Sequence, residues 1–195
     1  MRCRIRRTLD RLIFYFFIPF YLLMNWGMVA AGLGLGFVLG LLVPGFVLED
    51  GTEAVFSPEE GSRIISFIDS AKESVDIEVY LLTSRDVVDA LERAKRREVR
   101  VRIILEKELI GTDNDEIFAE LLSKGFDVRF ASGSFQLTHS KFIIIDGKAV
   151  LVGSHNLSNS ALFKNREASV IIRDQGAVSD FVGIFEHDWS ISSFG

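Results

Sequence analysis

Residues 12–48 read LIFYFFIPFYLLMNWGMVAAGLGLGFVLGLLVPGFVL, 37 positions without a single Asp, Glu, Lys or Arg. A helix needs about 20 apolar residues to cross a bilayer. The run is therefore read as a transmembrane segment, and a chain carrying it does not fold as one water-soluble body. A cleaved signal peptide also joins a basic start to an apolar run, but its apolar core is only about 7 to 15 residues long. Pro19 and the Asn25-Trp26-Gly27 break leave two arrangements open: a hairpin of two short helices, or one crossing from Trp26 to Leu48. The single crossing holds Arg2, Arg4, Arg6, Arg7 and Arg11 on the cytoplasmic side and the remainder of the chain opposite. The acidic flank Glu49-Asp50 favours it. Gly32, Gly36 and Gly40 recur every four residues, a spacing that lets two membrane helices approach closely.

Three parts follow: a basic tail (1–11), the transmembrane segment (12–48), and a domain over 49–195 long enough to bury its own core. Charge is unevenly shared. Of 22 basic and 27 acidic residues, 17 and 25 lie in 50–195, a net of −8. So acidic a domain lacks the broad positive footprint of a general nucleic-acid binder, although a local basic groove stays open. Six cations cluster between Arg93 and Arg102. They span a helix end and a strand start, where the helix dipole favours them, and are read as a solvated face. The single cysteine, Cys3, excludes an intramolecular disulfide. Its place beside the arginines would suit palmitoylation.

Strand and helix patterns alternate through the domain. Ser57-Pro58-Glu59-Glu60 is read as a helix start, with Ile64, Ile65, Ile68 and Ala71 following at helical spacing. VDIEVYLL (75–82) alternates with period two, as a strand does. Ser84 is placed as the cap of a second helix carrying Val87, Val88, Leu91 and Ala94. A strand follows at 99–105, a helix at 114–124 stopped by Gly125, and a strand at 126–131. This order predicts an α/β domain with a largely parallel sheet. From residue 139 the pattern changes. KFIII and AVLVG join at Asp146-Gly147-Lys148 as a hairpin. A strand over 167–173 and a helix over 176–189, burying Val178, Phe181, Val182, Phe185 and Trp189, complete the domain.

The chemistry concentrates in THSKFIIIDGKAVLVGSHNLSNSA, residues 138–161. His139 and Lys141 are two apart at a strand start, so they share a face. Ser154 and Asn156 are two apart after the returning strand. Pairing of the hairpin would gather an imidazole, an ammonium, a hydroxyl and an amide at one sheet end. Such a set can hold a phosphate beside a nucleophile. His155 should face the other way, and His187 lies on the terminal helix; neither is assigned a role. No Cys/His cluster supports a metal site. GLGLG lies inside the apolar run, so it is not a nucleotide loop. No metal or cofactor is expected.

His139-x-Lys141-x4-Asp146 matches the HxKx4D motif of the phospholipase D superfamily, and Gly153-Ser154-x-Asn156 its GSxN element. YLLTSRDVVDALERAKRREVRVRIILE and the Phe181-x3-Phe185-x3-Trp189 ending also resemble that family, over about residues 55–190. The resemblance implies an α/β/α sandwich with a mixed, largely parallel sheet. It implies a phosphohistidine formed on His139, and phosphoryl oxygens held by Lys141, Ser154 and Asn156. It also implies that Glu167 bonds the other nitrogen of the histidine ring, and that Asp146 is structural. A single motif implies a homodimer, one histidine from each chain. The single-motif branch holds small bacterial endonucleases and membrane-anchored cardiolipin hydrolase-like enzymes. The expected activity is thus phosphodiester hydrolysis at a membrane, on phospholipid or, alternatively, single-stranded nucleic acid. A non-catalytic membrane module is the third reading, which the intact residue set opposes.

Overall fold

Apolar and charged residues alternate in Ser74–Val79 and Arg100–Leu105, and each run forms a strand with a helix after it, as the pattern predicts. The computed structural model describes residues 51–107 and 114–194. The basic tail and the transmembrane segment expected at 12–48 lie outside them. Among the described residues no helix is long and apolar enough to cross a membrane. In chain order the described elements are β1 (Thr52–Phe56), α1 (Ser62–Asp69), β2 (Ser74–Val79), α2 (Arg85–Arg96), β3 (Arg100–Leu105), α3 (Asp115–Ser123), β4 (Asp127–Phe130), β5 (Lys141–Ile145), β6 (Ala149–Gly153), α4 (Asn159–Phe163), β7 (Ala168–Ile172) and α5 (Gln175–Ile191).

The seven strands form one sheet in the order β1-β7-β6-β5-β2-β3-β4. It is mixed, but not largely parallel. Only β2–β3 and β3–β4 run parallel; the other four pairs are antiparallel. The reason lies in the connections. Parallel neighbours need a crossover of a dozen or more residues, whereas a tight turn reverses the chain. The turn at Asp146-Gly147 makes β5–β6 a hairpin, and β5 then lies antiparallel against β2.

Helices cover both faces, giving three layers. Ile64, Ile68, Val87, Leu91 and Leu121 from α1, α2 and α3 pack with Val75, Ile77, Val79, Ile103 and Leu105 of the sheet. On the opposite face α5 sets Val178, Phe185 and Trp189 against Ile104, Phe142, Ile144 and Val150.

Two local expectations are corrected. Ser57 does not start a helix: residues 57–61 form turns, and α1 begins at Ser62 behind Gly61. A β-carbon on Gly61 would stand 1.9 Å from the Leu162 carbonyl oxygen, so the chain bends there to pass α4. Ser84 does stand at the N-cap of α2, but its hydroxyl donates to Asn159 Oδ1 at 2.7 Å. The basic cluster is neutralised within the fold. Arg93 pairs with Asp69, Arg96 with Glu92, Arg100 and Arg102 with Asp76, and Lys95 donates to the Lys124 and Gly125 carbonyls.

Candidate active site

The sheet register assembles the site. Phe142 pairs with Val152, which brings Lys141 and Gly153 to the same end of the β5–β6 hairpin. Gly153 also pairs with Ser169 of β7. A β-carbon on Gly153 would meet the Ala168 carbonyl oxygen and Ser169 Oγ, both at 2.3 Å. The missing side chain therefore lets β6 and β7 close up where Ser154 follows. Ser154 Oγ donates to a Glu167 carboxylate oxygen and accepts from the Ala168 N–H.

His139 lies in the loop just before β5, with its ring exposed. It packs edge-on against Tyr80, ring centres 4.7 Å apart. The Lys141 ammonium sits 5.3 Å from the same Tyr80 ring and donates to the His139 carbonyl at 2.7 Å. Tyr80 thus serves as a common wall for the pair. The loop is pinned on both sides of His139 by buried carboxylates: Glu106 accepts from the Thr138 N–H and Glu78 from the Ser140 hydroxyl. Lys141 is buried, and burial holds its ammonium below the usual lysine range; the Glu167 charge works the other way. A poorly hydrated cation beside an exposed imidazole is suited to neutralise a bound anion.

Glu167 does not hold the His139 ring within this chain. Its carboxylate accepts from Ser154 and from Asn165 Nδ2 at 3.2 Å, while its own N–H donates to Ser57 Oγ at 3.2 Å. Ser57 in turn donates to the Asn165 carbonyl at 2.8 Å. Asn156 is half-buried, and its Oδ1 has no hydrogen-bond partner. His155 points inward and shares a hydrogen bond with Ser169 Oγ at 2.7 Å; burial lowers its affinity for a proton, against the pull of Glu167. His187 is exposed on α5. Asp146 sits at the far end of the hairpin in a left-handed backbone conformation (φ 56°). Its carboxylate accepts the N–H groups of Lys72, Glu73 and Ser74. Burial opposes its charge, but those three donors outweigh it and keep the carboxyl below its usual range. No group of three or more potential metal ligands occurs among the described residues.

His139 and Lys141 open into a groove of about 470 Å³. Phe135, Leu137, Phe142, Phe181 and Ile184 give it apolar walls, and Glu78, Ser140 and Asp188 a polar patch.

The sequence profile described as the PLD-like domain of cardiolipin synthase matches residues 64–189, more than half of the chain. This chain belongs to the phospholipase D superfamily. Similar proteins include the mitochondrial cardiolipin hydrolases of Chlamydomonas reinhardtii, 29% identical over 76% of this chain, and of Xenopus laevis, 32% identical over 66%. The chain spans 66% and 60% of their lengths, less than two thirds of either. A solved phospholipase D family member, Nuc from Salmonella typhimurium, superposes with a TM-score of 0.67 at 29% identity, covering 73% of this chain and 95% of that one.

Within this phospholipase D fold, sequence reading missed Tyr80, Ser57, Asn165, Glu78 and Asp188. Tyr80 closes the alternating VDIEVY run and Asn165 stands two residues before Glu167. Those were the available signals. Nothing local marks Ser57 or Asp188 as neighbours of the site.

Proposed function

We propose that this chain is a phosphodiesterase of the phospholipase D type acting on phospholipid at a membrane. A ring nitrogen of His139 attacks phosphorus. The P–N bond forms as the P–O bond to the leaving alcohol breaks, and water then releases the phosphohistidine. Lys141, Ser154 and Asn156 hold the phosphoryl oxygens, Asn156 through its amide N–H group and Ser154 once its hydroxyl turns from Glu167. One chain carries one such histidine, so the second proton-transfer group comes from an identical chain in a two-fold dimer. Residues 12–48 anchor the enzyme in the bilayer.

The observation that carries the lipid assignment is the groove. The walls beside His139 are phenylalanine, leucine and isoleucine, and its polar groups other than the catalytic pair are acidic or neutral. Lipid chains are compatible with such walls, whereas the neighbouring phosphates of a nucleic acid would meet Glu78 and Asp188. The cations of Arg93–Arg102 are already paired with acids and carbonyls of the domain. The test is a parallel assay of full-length protein on phospholipid vesicles, single-stranded DNA and RNA, and a soluble phosphodiester, each with and without chelator. Lipid and soluble diester should be hydrolysed in both conditions. Cleavage of nucleic acid with vesicle lipid intact would make the chain an endonuclease. No turnover of any substrate would leave the non-catalytic module.

A further inference from the structure

Glu78 is an anomaly on β2. It is 2% exposed, yet among the described residues it has no cation partner. Asp76, two residues earlier on the same strand face, is matched by Arg100 and Arg102. One Glu78 oxygen accepts from the Ser140 hydroxyl, the other, Oε2, is buried with no neutral or cationic donor, and the Glu78 carboxyl hydrogen-bonds the Asp188 carboxyl. Asp188 of α5 reaches toward it, adding a second carboxyl. Burial chiefly, and Asp188 in addition, push Glu78 up to about 7, against the Ser140 hydrogen bond. Two acids facing each other are not needed to hold the loop. Bracing Ser140 takes one oxygen, which a glutamine would supply without repulsion from Asp188. Two adjoining carboxyls hydrogen-bond each other only while one holds a proton, and a ligand hydroxyl that donates to the pair removes that constraint. All three polar groups, Glu78, Ser140 and Asp188, line the groove into which His139 and Lys141 open.

We infer that Glu78 and Asp188 form a headgroup subsite, which accepts hydrogen bonds from the hydroxyl groups of the alcohol esterified to the phosphate that His139 attacks. This rests on the phospholipid reading given above and narrows its substrate to lipids with hydroxylated headgroups. A hydroxyl can donate to the half-buried Asp188 carboxylate and accept from the proton that Asp188 and Glu78 share. A quaternary ammonium has no proton to donate. A primary ammonium could donate, but it would need the full charge of the pair, which its burial opposes. The subsite selects among leaving groups and takes no part in bond breaking.

The experiment uses full-length protein on vesicles of equal parts phosphatidylglycerol, phosphatidylcholine and phosphatidylethanolamine. Release of glycerol, choline and ethanolamine is measured from the same vesicles, so interface access is common to all three. Turnover of bis(p-nitrophenyl) phosphate reports the chemistry separately. Wild type should release glycerol about ten- to a hundredfold faster than choline, the range expected when a site built for a hydroxyl meets a headgroup lacking it. Glu78→Gln and Asp188→Asn should each bring that ratio toward one. Asp188 is only half-buried, so its variant tests the idea even where Glu78→Gln folds poorly. Equal glycerol and choline release by wild type, or an unchanged ratio in both variants, overturns the subsite while leaving the lipid reading intact. A proportionate loss on all substrates, with the ratio preserved, assigns Glu78 to the His139 loop alone and also overturns it. Ethanolamine outpacing glycerol overturns the choice of hydroxyl. Turnover of the soluble diester with no lipid released fails the lipid reading, and the subsite with it.

Discussion

The two faces of β2 and β3 are equally buried and chemically opposite. Under α1, α2 and α3 lie Val75, Ile77, Val79, Val101, Ile103 and Leu105; under α5 lie Asp76, Glu78, Arg102 and Ile104. Ile77 and Ile103 are fully buried, and Asp76 at 5%, Glu78 at 2% and Arg102 at 8% are scarcely more exposed. Strict alternation along a strand therefore identifies its two faces but does not say which one meets water. The covering helix decides that. α5 brings Glu186 to Arg102 and Asp188 to Glu78. The apolar face gains free energy from area and is indifferent to direction. The charged face gains less, because desolvation offsets attraction, but it fixes orientation. Arg102 is held by Asp76 and Glu186 and lies 4.8 Å from the Phe185 ring and 5.3 Å from the Trp189 ring. That arrangement registers α5, whose other residues wall the groove.

The comparison can be tested by separating activity from stability. The largest effect is expected at the exposed end of the hairpin. His139→Asn should lower phosphodiester turnover by at least about three orders of magnitude. Its melting temperature should hardly move, since the ring is exposed. On the apolar face, Ile103→Ala should destabilise the domain by about 4 kcal/mol through lost burial and a residual cavity. Turnover per folded molecule, measured below the melting transition, should stay at the wild-type value. On the charged face, Arg102→Leu leaves Asp76 and Glu186 short of a cation and should cost about 3 kcal/mol. Unlike Ile103→Ala, it should also raise KM for lipid, because α5 lines the groove. A wild-type KM in that variant would break the distinction between the faces. The smallest effect concerns pH. Glu78 is raised from an ordinary 4.5 to about 7, so the folded protein binds this proton more tightly than the unfolded chain. Its contribution to stability is complete below about 4.5 and is lost as pH rises through about 7. Urea midpoints at pH 5 and pH 8 should therefore differ less in Glu78→Gln than in wild type.

Much of this is legible in the amino-acid sequence, and the remainder is not for identifiable reasons. Long amphipathic runs announce themselves: β3 and α5 lie within two residues of where their periodicity places them, α2 starts directly behind Ser84, and β2 ends three residues short of the VDIEVYLL run. The hairpin is signalled by Asp146-Gly147, both of which have positive φ. β1 and α4, five residues each, are too short to show a period. The sheet's direction is misjudged because parallel βα units open the domain, while β5, β6 and β7 come from an antiparallel second half. His139, Lys141, Ser154, Asn156 and Glu167 stand out through motif spacing. Tyr80, Glu78 and Asp188 belong to elements 50 or more residues away along the chain from some of their partners, so only the fold brings them to the groove. Ser57 looks like a helix cap locally, but it bonds Asn165 and Glu167 instead.

The position of β2 in the sheet has a consequence during synthesis. One edge is covered by β3, where Val75 pairs with Val101 soon after in the chain; the other waits for β5, where Val75 pairs with Ile145. At roughly 5 to 20 residues per second, a ribosome takes about 3 to 14 s to travel that far. Throughout that interval a central, largely apolar strand presents unpaired backbone groups along one edge. Such an edge is a template for wrong partners, so the nascent chain is most vulnerable before the β5–β6 hairpin has emerged. Its completion covers the second edge of β2, and β7 and β1 then finish the sheet.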